Sequence, residues 1–561
     1  MSPSMSPWNQ TSGFELDTKP TLPHPPDEPA DEAQRPAEEE WQPTMHEKAI
    51  IYTLAIISLI VALDATIVVT TMNVIIEDLQ GTATQAFWIG TSYLLVNAVT
   101  MPVICAVSDV FGRPICLTFA LVAFTVGTIC CCIAHNIGTM LVERSIQGIG
   151  GGGIHSLGLV TLTFWALGFA LGPIIGGAIV HGRTWRWIFY LMFPFCAFGL
   201  VAVPYLLTLR PKEATTRERL LRIDWIGSFL FTGSATSFLV AVSWGGTQYS
   251  WGSAQTLAPL IIGFVGLVVT VVYENYFAAQ PFLRRSLYHD TTSVVTYIAG
   301  CIQGLVMYGL LYFGPFYFLS VKQFTPLDAG VAMLPCTLTV TFSGIISGRL
   351  VTRFNNYRWP ICVGWFIASI GSGLYLIWPH NNSAGVWVVS YLVIGIGQGT
   401  ILNAQNFASQ AMCKPGDEAA AAAMYAFVRQ FGMALGVGIG GTAFQNVRAL
   451  KLQWLGLPTD IAKQAEGYIS TLHSLPAGDF KRGVIDSYNY GFTGVYSVYL
   501  AISVVALVIS LLFVKNVDLT RNLQSNHRLD GTRVSKYWGG REKSSKVISG
   551  VIGATGLKLG P

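Results

Sequence analysis

The chain has 561 residues, of which 52% are hydrophobic and only 11% are charged. Soluble domains carry about 25% charged residues, so a soluble fold of this length could not bury so much apolar surface. The net charge of +4 gives no reason to expect a nucleic-acid partner. The apolar runs are about twenty residues long and apolar on all sides, whereas strands of a membrane barrel alternate over about ten residues. We therefore predict an all-α polytopic membrane protein.

The two ends of the chain differ from the rest in composition. Residues 1–46 are rich in Pro and acidic residues, a composition that cannot bury a core, and we predict a disordered cytoplasmic tail. Residues 515–561 are predicted to form a second cytoplasmic tail.

Between these tails, fourteen apolar runs predict fourteen membrane spans: 49–72, 84–107, 115–134, 137–159, 162–180, 187–209, 225–245, 256–277, 292–316, 328–348, 360–378, 385–409, 419–446 and 492–514. The count depends on the stretch from Ser145 to Gly182, which contains no Lys, Arg, Asp or Glu over 38 residues. One helix of that length would measure about 57 Å, but a bilayer core is only about 30 Å thick. The stretch is thus either one long span or two spans with almost no turn.

The distribution of basic residues favours two spans there. With the N-terminus inside and fourteen spans, three Lys or Arg lie in short outer loops (Arg183, Arg186 and Lys322), and twelve lie in short inner loops: Arg113, Arg210, Lys212, Arg217, Arg219, Arg222, Arg284, Arg285, Arg349, Arg353, Arg358 and Lys414. Thirteen spans would place eleven of those twelve outside. Since short cytoplasmic loops are enriched in Lys and Arg, we predict fourteen spans.

Four ionisable residues interrupt apolar runs: Asp64, Glu143, Arg144 and Arg429. A charge at such depth is costly and usually faces a cavity and has a partner. Counted along their helices, Asp64 and Arg144 both fall in the outer half of the membrane, so we predict that they pair. Such a carboxylate can carry a proton, although a purely structural ion pair remains an alternative. Glu143 is predicted to face either lipid headgroups or the cavity.

A glycine face marks the fifth span. Gly168, Gly172 and Gly176 recur every fourth residue and share one side of a helix, and Pro173 adds a kink. The thirteenth span repeats the glycine spacing. Both ordinary close packing and a specific mechanical role are consistent with this pattern.

The loop SDVFGRP at 108–114 joins the second and third spans on the inner side. Asp109 can lie near a helix N-terminus, where negative charge is favoured, and Gly112 permits a tight turn before Arg113. The loop is predicted to be a charged inner clasp or a plain anchoring loop.

Other chemistry is not indicated. The ten cysteines lie within or at the edge of apolar runs, which predicts membrane packing and neither a disulfide nor a metal framework. There is no P-loop motif, hydrolytic triad or metal-ligand cluster, so we expect no enzyme activity, no metal and no cofactor. Any pumping must then use an ion gradient.

These motifs together resemble the major facilitator superfamily. SDVFGR is similar to its signature between spans two and three, ERSIQGIGGGG to its fourth-span signature, and GFALGPIIGG to its fifth-span antiporter signature. LDATIV at 63–68 and DWIGS at 224–228 resemble the fourteen-span drug:proton antiporters, particularly fungal toxin and multidrug exporters. The resemblance covers roughly residues 47–515.

The resemblance implies a major facilitator fold with two six-helix bundles, at 47–209 and 281–514. A linker and two extra central helices would occupy 210–280, and a long outer loop would occupy 447–491. Transport would proceed by alternating access around a cavity between the bundles. By motif match, the implied roles are proton coupling for Asp64, Arg144 and Gln147 with Glu143 as a further candidate, an inner gate for Asp109, Gly112 and Arg113, and a pliable antiporter helix for Gly168, Gly172, Pro173, Gly176 and Gly177.

One departure from the family pattern is large. The family has a charged cytoplasmic loop between the fourth and fifth spans, but here the apolar sequence continues through Thr161. We predict that this loop is missing and that the chain transports poorly without it.

The predicted function is proton-coupled export of small, mostly apolar organic compounds, such as toxins, secondary metabolites or drugs. The alternatives are import of a siderophore or an amino acid, and a product that does not transport because the loop is missing. The expected partners are the small-molecule substrate, protons and the lipid bilayer, with the chain as a monomer in the plasma membrane or, alternatively, the vacuolar membrane. Asn381 fits an N-glycosylation site in an outer loop.

Overall fold

The computed structural model describes residues 44–158, 162–207, 216–221, 223–246, 248–278, 281–377, 383–414, 417–465 and 467–516. Within these ranges the regular elements are helices, apart from one isolated bridge between Gly245 and Tyr249. The predicted helical fold class is confirmed. Nearly all of the two predicted tails lies outside the described residues.

The helices, numbered in chain order, are α1 Met45–Asp78, α2 Ala83–Phe111, α3 Arg113–Ile133, α4 Ile137–Leu157, α5 Leu162–Gly182, α6 Trp187–Tyr190, α7 Phe193–Leu206, α8 Thr216–Leu221, α9 Trp225–Trp244, α10 Ala254–Tyr276, α11 Thr291–Ser320, α12 Pro326–Ala332, α13 Leu334–Phe354, α14 Arg358–Leu374, α15 Ala384–Met412, α16 Glu418–Trp454, α17 Ile469–Ser474 and α18 Asp479–Phe513. Short 3-10 helices occupy Arg285–Tyr288, Tyr375–Ile377 and Thr459–Gln464.

Local sequence explains where the first helix begins. Thr44 accepts a hydrogen bond from the Glu47 N–H, and the Glu47 side chain accepts one from the Thr44 N–H. This capping box satisfies two backbone donors at the start of α1. The predicted disordered tail at 1–46 therefore extends too far, because Met45 and His46 already belong to the helix.

The uncharged stretch from Ser145 to Gly182 forms two helices, α4 and α5, as predicted. α4 ends at Leu157, where Gly158 follows, and α5 begins at Leu162. Residues 159–161, which include the predicted site of the missing loop, lie outside the described residues. Among the described residues, 12 helices are long and apolar enough to cross a membrane, and α5 contributes a shorter apolar helix at 167–182. The count of fourteen spans stays a prediction.

The helices pack in two halves that repeat one pattern. In the first half, α1 packs on α5, and α4 packs on both α2 and α3. In the second half, α11 packs on α16, and α15 packs on both α13 and α14. Two bundles with the same internal pairing are what the major facilitator fold requires.

The two halves meet along two seams, and a helical hairpin lies beside them. One seam joins α2 to α16, and the other joins α5 to α12 and α13. The hairpin of α9 and α10 contacts α2 and α16 through α9. Its position in the chain is the one predicted for the two extra central helices, and that assignment stays a prediction.

Several helices differ from the apolar runs that predicted them. The sixth run is divided into α6 and α7, and the tenth into α12 and α13, with Pro194 and Pro335 near the start of the second piece in each case. Most of the segment 447–491 is helical, because α16 continues to Trp454, the 3-10 helix Thr459–Gln464 and α17 lie within the segment, and α18 begins at Asp479. An apolar run marks only the part of a helix that crosses the bilayer, so an amphipathic extension is missed.

Candidate functional site

A buried ion pair lies in the first bundle. Arg144 Nη1 donates to both carboxylate oxygens of Asp64, at 3.1 and 2.9 Å, and both side chains are 0% exposed. Gln147 lies one turn along α4 and donates from Nε2 to Asp64 Oδ1, at 3.1 Å, and to Thr128 Oγ1, at 2.9 Å. The structure thus brings together the three residues assigned to proton coupling, including the predicted pair.

The guanidinium of Arg144 is held by further contacts. Its Nη1 also donates to Gln147 Oε1 at 2.5 Å, and its Nε donates to the Ile89 carbonyl at 3.3 Å. The ring of Tyr93 lies 4.5 Å from the guanidinium carbon, a cation–π contact. Nη2 has no hydrogen-bond partner within the described ranges. The site therefore holds Arg144 firmly and leaves one donor available.

The glycine face of α5 determines how closely the helix carrying Asp64 is approached. A Cβ at Gly168, Gly172 or Gly176 would meet atoms of α1; at Gly172 it would collide with Thr66 Oγ1. Backbone-to-backbone packing of this kind needs glycine because any side chain would separate the helices. The glycine face therefore fixes α1 against α5, and a mechanical role beyond packing stays a prediction.

A face of α5 next to its glycine face contacts the second bundle. A Cβ at Gly177 would meet the main chain of Pro326 and Leu327 in α12, and one at Gly330 would meet the Pro173 carbonyl. That carbonyl also accepts a hydrogen bond from Thr70 of α1, at 3.2 Å. Pro173 and Gly177 thus belong to the seam between the bundles.

A second contact between the bundles lies beside the buried pair. Tyr308 of α11 donates from its hydroxyl to the carbonyl of Ala65, the residue after Asp64, at 3.0 Å. The buried ion pair is therefore one residue away from a hydrogen bond that joins the two halves of the protein.

On the seam between α2 and α16, three charged residues form what we call the inner clasp: Asp109, Arg284 and Asp417. Arg284 Nη2 donates to Asp109 at 3.1 Å, and its Nη1 donates to Asp417 at 2.6 Å. Asp109 is in α2 and Asp417 immediately precedes α16, so one arginine connects both helices of this seam. Gly112 turns the chain into α3 with φ +95°, which is strained for other residues. Arg113 begins α3 and takes no part in the clasp.

The remaining predicted residues do not join these clusters. Glu143 is half-buried outside the hydrogen-bonded network, and its Oε2 has no partner among the described residues. Arg429 is 1% exposed in α16, where it interacts electrostatically with the His155 side chain of α4. Asn381 lies outside the described residues. The roles of these three stay predictions.

Sequence reasoning missed several members of both clusters. Tyr93, Thr128 and Tyr308 carry no charge and sit in apolar runs, so nothing distinguished them from packing residues. Arg284 was counted only as an inner-loop charge, and Asp417 was not singled out although it precedes a helix. An acid before a helix start is a signal that could have been used.

Asp78, at the far end of α1, forms a more exposed ion pair. Trp185 Nε1 donates to its Oδ2 at 2.8 Å, and Arg186 Nη1 does so at 2.9 Å. The Trp185 hydrogen bond, and then Arg186, hold the pKa of Asp78 below its usual value. This pair offers a surface counterpart to the buried one on the same helix.

Comparison with known proteins identifies the family. The family model described as Major Facilitator Superfamily matches residues 54–166 and 157–437, two segments that overlap at 157–166. Among curated proteins, the chain is 37% identical to "MFS transporter L2" of Phoma sp., covering 86% of this chain and 84% of that protein. It is 30% identical to "Efflux pump FUS6" of Gibberella fujikuroi (86% and 91%), and 31% identical to "MFS-type efflux pump LUC4" of Fusarium sp. (89% and 92%).

Solved structures match the fold alone. A bacterial homologue of the human lysosomal transporter Spinster, in an inward-facing and unoccupied conformation, gives a TM-score of 0.58 at 16% identity and covers 86% of this chain and 100% of that one. The human organic anion transporter MFSD10 gives 0.53 at 11% identity, with 84% and 100% covered. From the family match and these identities, the chain is a multi-pass membrane protein that belongs to the Major Facilitator Superfamily of transporters.

Proposed function

We propose that the protein exports small, mostly apolar organic compounds, such as secondary metabolites or toxins, in exchange for protons. The observation that carries the proposal is the buried pair of Asp64 and Arg144 beside the contact between the two bundles. Relatives that are similar over most of their length and are named as efflux pumps support the direction of transport. The proposed location is the plasma membrane, with the chain acting as a monomer.

The proton step uses Asp64 as the carrier. In the present arrangement Asp64 accepts three hydrogen bonds from cationic or amide donors, which favour the ionised carboxylate. Protonation removes the negative charge and weakens the hold on Arg144 Nη1. One N–H of Nη1 is then released in addition to those of Nη2, while the other N–H of Nη1 stays on Gln147 Oε1, and the released donors are available to substrate or water.

The position of Asp64 beside the second bundle couples its protonation to alternating access. Tyr308 donates a hydrogen bond to the carbonyl of the residue after Asp64, so a movement of α1 at this point would alter a contact with the second bundle. The inner clasp joins the same two bundles at the inner end of the seam. Proton binding at Asp64 would thereby shift the balance between states open to opposite sides, which is how an ion gradient drives a substrate.

The test uses the purified full chain in lipid vesicles. An imposed proton gradient should drive accumulation of a fluorescent lipophilic dye, and a protonophore should abolish the accumulation. Dye movement that is the same with and without the gradient would rule out proton coupling. A comparison of secreted metabolites from cells with and without the protein then identifies the natural substrate class.

A further inference from the structure

Two carboxyl groups at the inner end of the α9–α10 hairpin have no role in the mechanism above. Asp224 caps the start of α9, and Glu274, near the end of α10, is 2% exposed. One oxygen of each, Asp224 Oδ2 and Glu274 Oε1, is buried and has no hydrogen-bond partner among the described residues. Buried polar atoms are nearly always paired, so two orphan oxygens in one place need an explanation.

The two orphan oxygens face each other. A Cβ placed on Gly227 would meet both Glu274 Oε1 and Asp224 Oδ2, so both atoms lie beside one point that is open only because Gly227 has no side chain. The other two oxygens have donors. Asp224 Oδ1 accepts from the Gly227 N–H at 2.8 Å and the Tyr273 hydroxyl at 3.3 Å, and Glu274 Oε2 accepts from the Leu283 N–H at 3.4 Å.

Two ionised carboxylates cannot share such a place cheaply. Adjacent carboxyl groups in a site of low polarity repel when both are charged, so one of them holds a proton. A single proton makes one group a donor and leaves the other as its acceptor, which satisfies both orphan atoms and halves the charge. We propose that Asp224 and Glu274 form a proton-binding site in which one proton is shared between the two carboxyl groups.

The site can exchange its proton through a cavity. A cavity of about 390 Å³ is lined by Asp224 and Ser228 of α9, and it has room for several waters at about 30 Å³ each. The titratable and charged groups on its other walls are Asp109 and Cys105 from α2, and Arg284. α16 contributes apolar side chains to this cavity. The cavity therefore joins the carboxyl pair to two members of the inner clasp.

The pair is also joined to the clasp through the backbone. Glu274 accepts a hydrogen bond from the Leu283 N–H. Leu283 directly precedes Arg284, whose ion pairs connect the two bundles. Loss of the shared proton would leave two buried negative charges, and the strain would be relieved if Glu274 moved into the cavity and released Leu283. The inner clasp is then sensitive to the proton concentration on its own face. This regulatory step rests on the proposed function, whereas the proton-binding site does not.

Infrared spectroscopy of the full chain in lipid nanodiscs tests the site. The wild-type chain should show the carbonyl band of a buried protonated carboxyl group, which disappears on going from mildly acidic to mildly alkaline pH. Beside an amide, the remaining carboxyl group has no second charge to repel it and can accept a hydrogen bond from the amide N–H, which favours its ionised form, so both Glu274→Gln and Asp224→Asn should lack this band. Glu77→Gln, at an exposed glutamate of α1, should keep it.

The outcomes separate cleanly. A band that persists in both variants would overturn the site, and a band lost in only one of them would overturn the sharing of the proton. Neither substrate nor gradient is used, so a chain that exports nothing still reports on the pair. If Glu274→Gln does not fold, Asp224→Asn decides the question, since Asn also caps helices.

Amide hydrogen exchange tests the link to the clasp. At mildly alkaline pH, the peptide containing Leu283 should exchange faster in the wild type than in Glu274→Gln. At mildly acidic pH the two should be equal. Comparison at the same pH removes the intrinsic dependence of exchange on pH. Equal exchange at both pH values would show that the pair does not act on the clasp.

Discussion

Replacement of Asp64 by Asn separates the proton-carrier role from a structural ion pair. The amide has nearly the same shape but cannot titrate, and it leaves the buried guanidinium of Arg144 without a counter-charge. Removing one partner of a buried pair costs about 3–5 kcal/mol, a large share of the roughly 5–15 kcal/mol that stabilises a typical protein. We therefore expect Asp64→Asn to lose gradient-driven efflux and to unfold at a lower temperature.

The double variant Asp64→Asn with Arg144→Gln decides between the two roles. Both groups are then neutral, so no buried charge is left uncompensated, which is the main cost of removing one partner alone. Thermal stability in detergent should recover most of its loss, while proton-driven dye transport in vesicles should stay absent. Recovery of transport together with stability would refute the proton-carrier role and leave the pair purely structural.

A matched control lies on the same helix. Asp78 is about half exposed and pairs with Arg186, so Asp78→Asn should cost at most about 1 kcal/mol and leave transport intact. Loss of transport in this control would mean that the assay responds to general damage to α1.

Three further changes test the inner clasp, the glycine contact between α1 and α5, and the short connection between α4 and α5. Arg284→Gln removes both ion pairs of the inner clasp, and each partly exposed pair stabilises the closed inner side by about 0.2–1 kcal/mol. Labelling of single cysteines from the inner side should therefore increase by several-fold. Unchanged labelling would show that the clasp does not keep the inner side closed. Gly172→Val must push α5 away from Thr66, so it should lower the free energy of unfolding by about 1–3 kcal/mol and abolish efflux. The control Gly182→Ala places its methyl group in open space and should behave as wild type. Insertion of a charged loop after Gly158 should raise efflux, and no increase would mean that the short connection between α4 and α5 is not limiting.

Several features were predictable from the sequence because they follow from the bilayer. A charged residue in an apolar run must find a partner, and depth along each helix was enough to pair Asp64 with Arg144. The break between α4 and α5 followed from membrane thickness and the distribution of basic residues. In each case one strong physical constraint left few alternatives.

Other features were not predictable because they depend on how distant segments pack. Arg284 reaches Asp109 across 175 positions of sequence and Asp417 across 133, and no local pattern connects them. The facing of Glu274 and Asp224 likewise depends on the register between α9 and α10, which Gly227 makes possible. The amphipathic start of α18 was not predicted because it contains too many polar residues to form an apolar run, although it packs through Val484 and Tyr488.

The contact between α5 and α1 has a mechanical consequence. Where glycine brings two backbones together, there is no compressible side chain between them, so neither helix can shift alone without losing the contact. α5 also meets α12 of the other bundle through Gly177. We therefore expect α1 and α5 to move together as one rigid unit that extends from Asp64 to the second bundle. A small displacement of α1 at Asp64 should then reach α12 through α5, and a methyl group added at Gly172 should weaken this coupling because it separates the two helices.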